Sequence, residues 1–115
     1  MPSFEVIYDE EEDVLEVTFE SFDESFARTI ALNDCILLYT DLNFQHSWGL
    51  SLYGYGTLLQ VNETVLDGVL VLSEPNRLHI LHLLSQPPVS HFLDLRDREN
   101  GVAVIKSPTF EALIG

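Results

Sequence analysis

Three histidines in the second half of the chain are the residues best suited to hold a metal ion. His79 and His82 are three residues apart, a spacing at which two imidazoles of one helix can share a divalent cation, and His91 could supply a third ligand. His79 and His82 fall on the predicted polar face of a helix, where histidine is a common surface residue. We therefore expect surface histidines and assign no metal and no cofactor.

The acidic run near the N-terminus has part of the spacing of a calcium-binding loop. Its carboxylates occupy positions 1, 3, 5 and 12 of that loop: Asp9, Glu11, Asp13 and Glu20. The loop needs glycine at position 6 for a sharp turn, and Val14 stands there. A strand over residues 14–20 would also hold Glu20 roughly 20 Å from the turn. The sequence predicts a solvated turn instead of a calcium site.

Residue types used in nucleophilic catalysis are present without a motif that brings them together. Ser90, His91 and Asp94 could form a triad, but adjacent residues of the strand predicted there would point to opposite faces. Cys35 precedes Ile36, Leu37 and Leu38 and is expected to be a small buried apolar residue. We assign no catalytic residue and expect that the protein is not an enzyme.

Four aromatic residues are predicted to cluster around the fifth strand and to serve in the core or at an interface: Phe44, Trp48, Tyr53 and Tyr55. Stacking on such rings could in principle bind a nucleic-acid base. Arg28 is the only basic residue before Arg77, so contacts to phosphate are missing. The aromatic cluster therefore does not predict a nucleic-acid interface.

Charge and length narrow the classes of protein further. The formal net charge of the 115 residues is −14, which opposes binding to nucleic acid or to an anionic membrane. Residues 1–76 hold 15 carboxylates and one basic residue, whereas residues 77–115 hold four groups of each sign. No run approaches the roughly 20 apolar residues of a membrane helix, and the single cysteine excludes an internal disulfide. We expect a single soluble cytoplasmic domain over residues 1–115.

The first half contains five segments of strand composition: Phe4–Tyr8, Val14–Glu20, Phe26–Leu32, Cys35–Thr40 and Trp48–Tyr53. In the second segment Leu15, Val17 and Phe19 should face the core while Glu16, Thr18 and Glu20 face water. The acidic residues Asp9–Asp13 should form the turn of a hairpin between the first two strands. Gly54 and Gly56 mark the end of the fifth strand or a bulge. The pattern predicts an antiparallel meander of about five strands.

The second half has mixed signals. Residues 62–72, behind a potential N-cap at Asn62, favour a short helix but leave a strand open. Ser73 and Pro75 predict the start of the main helix, which Gln86-Pro87-Pro88 ends. In that helix Ile80, Leu81 and Leu84 should face the sheet, opposite His79, His82 and Leu83.

A hairpin should follow the main helix, from His91–Arg96 to Val102–Ile105 around Asn100-Gly101. A last helical turn is predicted from Ser107 to Leu113. The fold class is therefore α+β, with one or two helices packed on one face of the sheet and a possible C-terminal hairpin.

Residues 8–19, YDEEEDVLEVTF, resemble the opening Y-D-x-x-x-D-x-L-x-I/V-x-F of the bacterial family called domain of unknown function 2283. The resemblance continues through Ala27–Thr29, Ile36–Asp41 and Trp48–Leu52 and so covers residues 4–53. It implies no known activity. The chain departs from the family by having Asn43–His46 where an Asp-Gly turn is usual, and by roughly sixty further residues. Among those, Leu83–Leu93 look like the longer versions found in cyanobacteria.

The expected function is binding through protein–protein contacts. The apolar residues from Phe44 to Leu59 exceed what one short helix can cover, which predicts a homodimer. The alternative is an acidic antitoxin-like or inhibitor module that neutralises a basic protein partner. A hydrolase or metal enzyme using His79, His82 or His91 is the third hypothesis.

Overall fold

The computed structural model describes residues 5–20, 24–61 and 63–106. Its strands are β1 (Glu5–Asp9), β2 (Val14–Thr18), β3 (Ala27–Ala31), β4 (Ile36–Asp41), β5 (Ser47–Tyr53), β6 (Thr64–Val65), β7 (Leu93–Asp97) and β8 (Val102–Ile105). Its α-helices are α1 (Tyr55–Gln60), α2 (Asp67–Leu70) and α3 (Glu74–Leu84), and short 3-10 helices cover Glu24–Phe26 and Val89–His91. The α+β class is confirmed.

The first five strands form one antiparallel sheet in the order β1-β2-β5-β4-β3. β3, β4 and β5 follow each other as a meander, and β1 and β2 form the predicted hairpin. After β2 the chain crosses to the far edge of the sheet, so that β5 returns to pair with β2. The five-stranded antiparallel sheet is confirmed, although its spatial order is not the order along the chain.

The alternation predicted for the second strand is confirmed. Leu15 and Val17 lie opposite Leu52 and Leu50 and are buried, while Glu16 is exposed. Phe19 is also buried, and its N–H donates to the carbonyl of Trp48 at 2.8 Å, which extends the pairing beyond β2. A register slip by one residue would bury carboxylates in place of these side chains, so burial fixes the register.

The segment after the sheet departs from the prediction. The strand ends at Tyr53 as expected, and an unpredicted helix, α1, begins after Gly54 in a left-handed conformation (φ 69°). Residues 62–72 contain both a strand and a helix: β6 pairs with β8, and α2 starts only after Leu66. The predicted cap Asn62 lies outside the described residues.

The main helix α3 begins behind Ser73 with Pro75 in its first turn, as predicted. The Ser73 side chain makes no capping hydrogen bond. One part of the facing prediction is wrong, because Leu83 is buried together with Ile80, Leu81 and Leu84. The buried side of α3 is broader than a single stripe because the helix contacts both β7 and the 3-10 helix Val89–His91.

The predicted C-terminal hairpin is confirmed and belongs to a second sheet of order β6-β8-β7. Its first strand begins at Leu93 and not at His91, because residues 89–91 form the 3-10 helix. Gly101 (φ 66°) supplies the left-handed residue of the turn. The helical turn predicted from Ser107 to Leu113 lies outside the described residues.

One hydrophobic core joins the two sheets. Phe19 and Phe92 meet there with ring centroids 6.1 Å apart. Gly68 allows α2 to approach β3, since a Cβ at this position would collide with the carbonyl oxygen of Ala31. The second sheet and α1 add cover, and four of the apolar side chains between Phe44 and Leu59 are buried: Phe44, Leu50, Leu52 and Leu58. Tyr53 (41%) and Leu59 (40%) of the same stretch stay exposed. Within the described ranges, no helix has the length and apolar character needed to cross a bilayer.

Candidate functional site

The outer face of the five-stranded sheet, the side turned away from the core, is the candidate site. Alternation along each strand places on it Glu5, Ile7 and Asp9 of β1, Val14, Glu16 and Thr18 of β2, Gly49, Ser51 and Tyr53 of β5, Leu37 and Tyr39 of β4, and Ala27, Thr29 and Ala31 of β3. Strand register aligns them in rows across the sheet. The charged side chains of β1 and β2 on this face are all carboxylates.

Tyr39 organises the centre of the outer face. It lies opposite Gly49 across β4 and β5, and its ring carbon Cδ2 is 3.5 Å from the point where a Cβ on Gly49 would stand. The same Cβ would lie 2.5 Å from the carbonyl oxygen of Val17, so the close strand approach requires glycine. Tyr39 Oη and Ser51 Oγ are 2.8 Å apart and hydrogen-bonded, which ties the phenol hydroxyl to β5. Ser51 is only 1% exposed although it belongs to the outer face.

A groove of about 480 Å³ runs across the outer face beside this pair of hydroxyls. Its polar lining is one carboxylate and four hydroxyls, from Glu16, Thr18, Thr29, Tyr39 and Ser51, and Ala27 also lines it. Hydroxyls can donate or accept hydrogen bonds, whereas the carboxylate only accepts and carries negative charge. The groove is therefore suited to binding a polar or cationic group.

Asp13 fastens the first hairpin to the start of α1. Its carboxylate accepts the Tyr8 hydroxyl at 2.6 Å and the N–H of Gly56 at 2.9 Å, and its main-chain carbonyl accepts the N–H of Gly54 at 2.8 Å. The hydrogen bond from Tyr8, followed by that from Gly56, lowers the pKa of Asp13. The same hydrogen bond to Asp13 raises the pKa of Tyr8. Tyr8 also packs edge-on against Tyr55, with centroids 6.2 Å apart.

Asp9 has a structural role in the acidic turn as well. Asp9 Oδ1 accepts the N–H groups of Glu11 and Glu12 at 3.0 and 3.2 Å. The carboxylates with calcium-loop spacing therefore do not converge. Asp9 binds the backbone of the turn, Asp13 binds Gly56 in α1, and Glu20 lies beyond the other end of β2. Among the described residues, no group of three or more His, Cys, Asp or Glu side chains is placed to hold a metal ion.

The histidines and the nucleophile candidates lie in different places. His79 and His82 are exposed on α3, while Ser90 and His91 lie in the 3-10 helix and not on a strand. Asp94 pairs with Arg96, with Oδ2 to Nε at 2.9 Å. Cys35 is half-buried at the edge of the core, and its N–H donates to Asn33 Oδ1. The geometry does not gather these residues into one site.

The four aromatic residues do not form one cluster. Phe44 is buried, with the Arg28 guanidinium carbon 4.9 Å from its ring centroid. Trp48 stacks on His46 at 5.7 Å, and Tyr55 contacts Tyr8. Tyr53 is exposed on the outer face. Phe44 is a core residue as expected, and the Arg28 cation is directed toward it and away from the outer face.

Sequence reasoning missed Tyr39 and Ser51. A usable signal was Gly49 inside a strand, which indicates a close approach of neighbouring atoms. Comparisons of this chain with known protein families, with curated proteins and with solved structures find no match.

Proposed function

We propose that this protein acts by binding another protein, without catalysis, and that the outer face of the five-stranded sheet is its interface. The observation that carries the proposal is charge. Glu5, Asp9 and Glu16 are on this face, and Arg28, the one cation of the sheet, lies over Phe44 on the other side. Electrostatic complementarity then selects a basic partner. Such a chain would work as an inhibitor or antitoxin-like module.

Exposed apolar side chains add contact area to the same region. Ile7 is 53% exposed and Tyr53 41% exposed, beside the hydroxyl-lined groove. An interface of this kind combines apolar anchors with a polar, charged rim. A lysine or arginine of the partner would enter the groove next to Glu16.

Two matched variants test the proposal by capture from a lysate of the organism that carries the gene. Glu5→Lys with Glu16→Lys changes the outer face, and Glu11→Lys with Glu12→Lys makes the same charge change in the turn. We expect a stoichiometric basic protein to bind the wild type and the turn variant and to be lost from the outer-face variant. Equal capture by both variants would contradict the interface.

Homodimer formation is the second candidate, through another surface. Val71, at the end of α2, is 83% exposed and Leu78 of α3 is 53% exposed, and the two helices are in contact. Leu78 belongs to residues 77–115, which hold four groups of each sign, whereas Val71 lies between Asp67 and Glu74 in the acidic part of the chain. A stable pair needs roughly 1,200–2,000 Å² of buried surface. Light scattering that shows a dimer in the wild type and a monomer in Leu78→Lys would support it, and a wild-type monomer at tens of micromolar would remove it.

Membership of the domain of unknown function 2283 family is also a proposal. It is supported by the position of the resemblance, since residues 4–53 include all five strands of the larger sheet.

A further inference from the structure

We propose that β1 accepts an extended strand of the basic partner, which pairs with its free edge and lengthens the five-stranded sheet. The inference rests on the proposed function and adds the mode of binding and the side-chain pattern of the partner. Strand addition of this kind takes affinity from main-chain hydrogen bonds and specificity from alternate side chains.

The edge of β1 is open within the described residues. β1 is the first strand in the sheet order, and its five residues pair only with β2. All five side chains are exposed, including Val6 (41%), Ile7 (53%) and Tyr8 (45%). Edge strands usually avoid pairing through charged side chains, proline or a bulge. β1 has no proline, bulge or lysine, and its charges are the carboxylates of Glu5 and Asp9. These carboxylates oppose the addition of an acidic strand but not of a basic one.

The side chains of β1 define what would pair with it. Glu5, Ile7 and Asp9 lie on the outer face, and Val6 and Tyr8 lie on the opposite face. Directly opposed charges of unlike sign stabilise antiparallel pairs, as do aromatic and β-branched pairs. The complementary strand has lysine or arginine at its first and fifth positions, opposite Asp9 and Glu5, with three apolar or β-branched residues between them.

A second copy of this chain fits the edge poorly. Antiparallel self-pairing that overlaps all of β1 centres on Ile7 and sets Glu5 opposite Asp9 of the other copy. Like charges directly opposite each other destabilise a strand pair. The acidic turn of each copy would then also lie near the start of the other β1. The charge pattern thus selects a basic strand over self-association.

The probe is a fluorescent peptide with the core Lys-Val-Val-Tyr-Lys, and binding is followed by anisotropy at low salt. Two versions carry backbone N-methyl groups, either on the second and fourth core residues or on the third. Alternate N–H groups of a strand face its partner, so one version loses ladder donors and the other keeps them. We expect about tenfold weaker binding for one methylated peptide and little change for the other. Equal binding of both would overturn strand pairing.

A charge swap tests the register. Glu5→Lys should weaken the peptide about twofold to fivefold, and a peptide with Glu as its fifth core residue should recover that loss. Glu11→Lys is the control, because it changes the net charge equally from the exposed turn. Loss of affinity in both variants without recovery would mean attraction by overall charge and would overturn the register.

Two outcomes separate this inference from the proposed function. Capture of a basic protein that depends on Glu5 and Glu16, with no difference between the methylated peptides, would leave the function and overturn the strand pairing. Methylation-sensitive peptide binding without any captured basic protein would leave β1 as a strand acceptor and overturn the partner class.

A dimer of the pure chain that Ile7→Lys dissociates would assign the edge to a second copy and overturn the proposal.

Discussion

The two hairpins, β1-β2 and β7-β8, use the same turn device and end in opposite environments. In the first, Asp9 accepts the N–H groups of Glu11 and Glu12, and in the second Asp97 accepts those of Glu99 and Asn100 at 3.0 and 3.1 Å. Aspartate at such positions mimics a backbone turn. The β7-β8 hairpin then packs its apolar side into the core, whereas the β1 strand leaves every side chain exposed.

This difference shows that turn chemistry forms a hairpin but does not decide its use. Leu93, Ala103 and Ile105 of the second hairpin are buried, so its strands serve stability. In the first hairpin only β2 carries core residues. β1 adds backbone pairing and an exposed edge with both carboxylate and apolar side chains. β1 is therefore the most exposed strand of the larger sheet.

The largest expected effect concerns the end of β2. Phe19→Ala should lower the free energy of unfolding by about 3–5 kcal/mol, because it removes a ring buried against Phe92. Glu16→Ala, on the exposed side of β2, should change it by about 0.5 kcal/mol or less. Urea unfolding of both variants measures this. A greater loss for Glu16→Ala would show that the faces of β2 are reversed.

The next prediction compares β7 with β1, the outer strands of the two hairpins. Leu93→Ala in β7 should cost about 2–5 kcal/mol, since Leu93 has no exposed surface. Ile7→Ala in β1 should cost about 1 kcal/mol or less, since half of that side chain is exposed. Similar losses in urea unfolding would mean that β1 contributes to the core and is not a free edge.

Measuring stability against pH tests the carboxylates whose hydrogen bonds stabilise each hairpin. The pKa of Asp13 is lowered by hydrogen bonds from Tyr8 and Gly56, and that of Asp97 by those from Asn100 and Glu99. A lowered pKa in the folded state stabilises the fold above the unfolded value of about 3.9, and this contribution disappears as the pH falls through the folded pKa. Asp13→Asn and Asp97→Asn should therefore be less stable than wild type at neutral pH, and the gap should close in acid. Thermal melts that show a constant gap would contradict these carboxylate roles.

In the first hairpin, stability should also depend on pH in the alkaline range, through ionisation of Tyr8. Its pKa is raised by the hydrogen bond to Asp13, so its contribution is complete below about 10 and disappears as the pH rises through the folded pKa. Tyr8→Phe should lose stability at neutral pH and converge with wild type at high pH. Absorbance titration of the wild type should show a late phase of tyrosine ionisation that Tyr8→Phe removes.

The smallest effect is salt dependence. Stability should rise from low to moderate sodium chloride, because salt screens the repulsion between carboxylates that lie more than about 8–10 Å apart. Replacing Glu10, Glu11 and Glu12 by glutamine should flatten that rise. A melting temperature of the wild type that falls with salt would show that the carboxylates are internally paired.

Local signals predicted much of the fold correctly. Alternation over residues 14–20 predicted which side chains of β2 are buried, Ser73 and Pro75 predicted the start of α3, and Asn100-Gly101 predicted the second turn. Each depends on neighbours within a few residues, where backbone sterics and periodicity act directly. The same reasoning failed for Leu83, which is buried because α3 contacts β7 and the 3-10 helix Val89–His91 as well as α2.

The candidate site was much less accessible to sequence reasoning. Tyr39 and Ser51 meet only because β4 and β5 pair, and Asp13 reaches Gly56 across 43 positions of the chain. The separation of the four aromatic residues has the same origin, since Phe44 turns inward under Arg28 while Tyr53 turns outward. Contacts between distant segments depend on strand order, which periodicity within one strand does not specify.

The sequence by itself determined the acidic charge of the first half, the alternation of β2, the two hairpin turns and the α+β class. These follow from residue types and short-range spacing. Only the tertiary structure decided that β5 returns beside β2, that Tyr39 and Ser51 together line the outer-face groove, and that β1 lies at an edge. The physical reason is that strand order follows from how the whole chain buries its apolar side chains, and the position of β1 in that order is what leaves its backbone available to a partner.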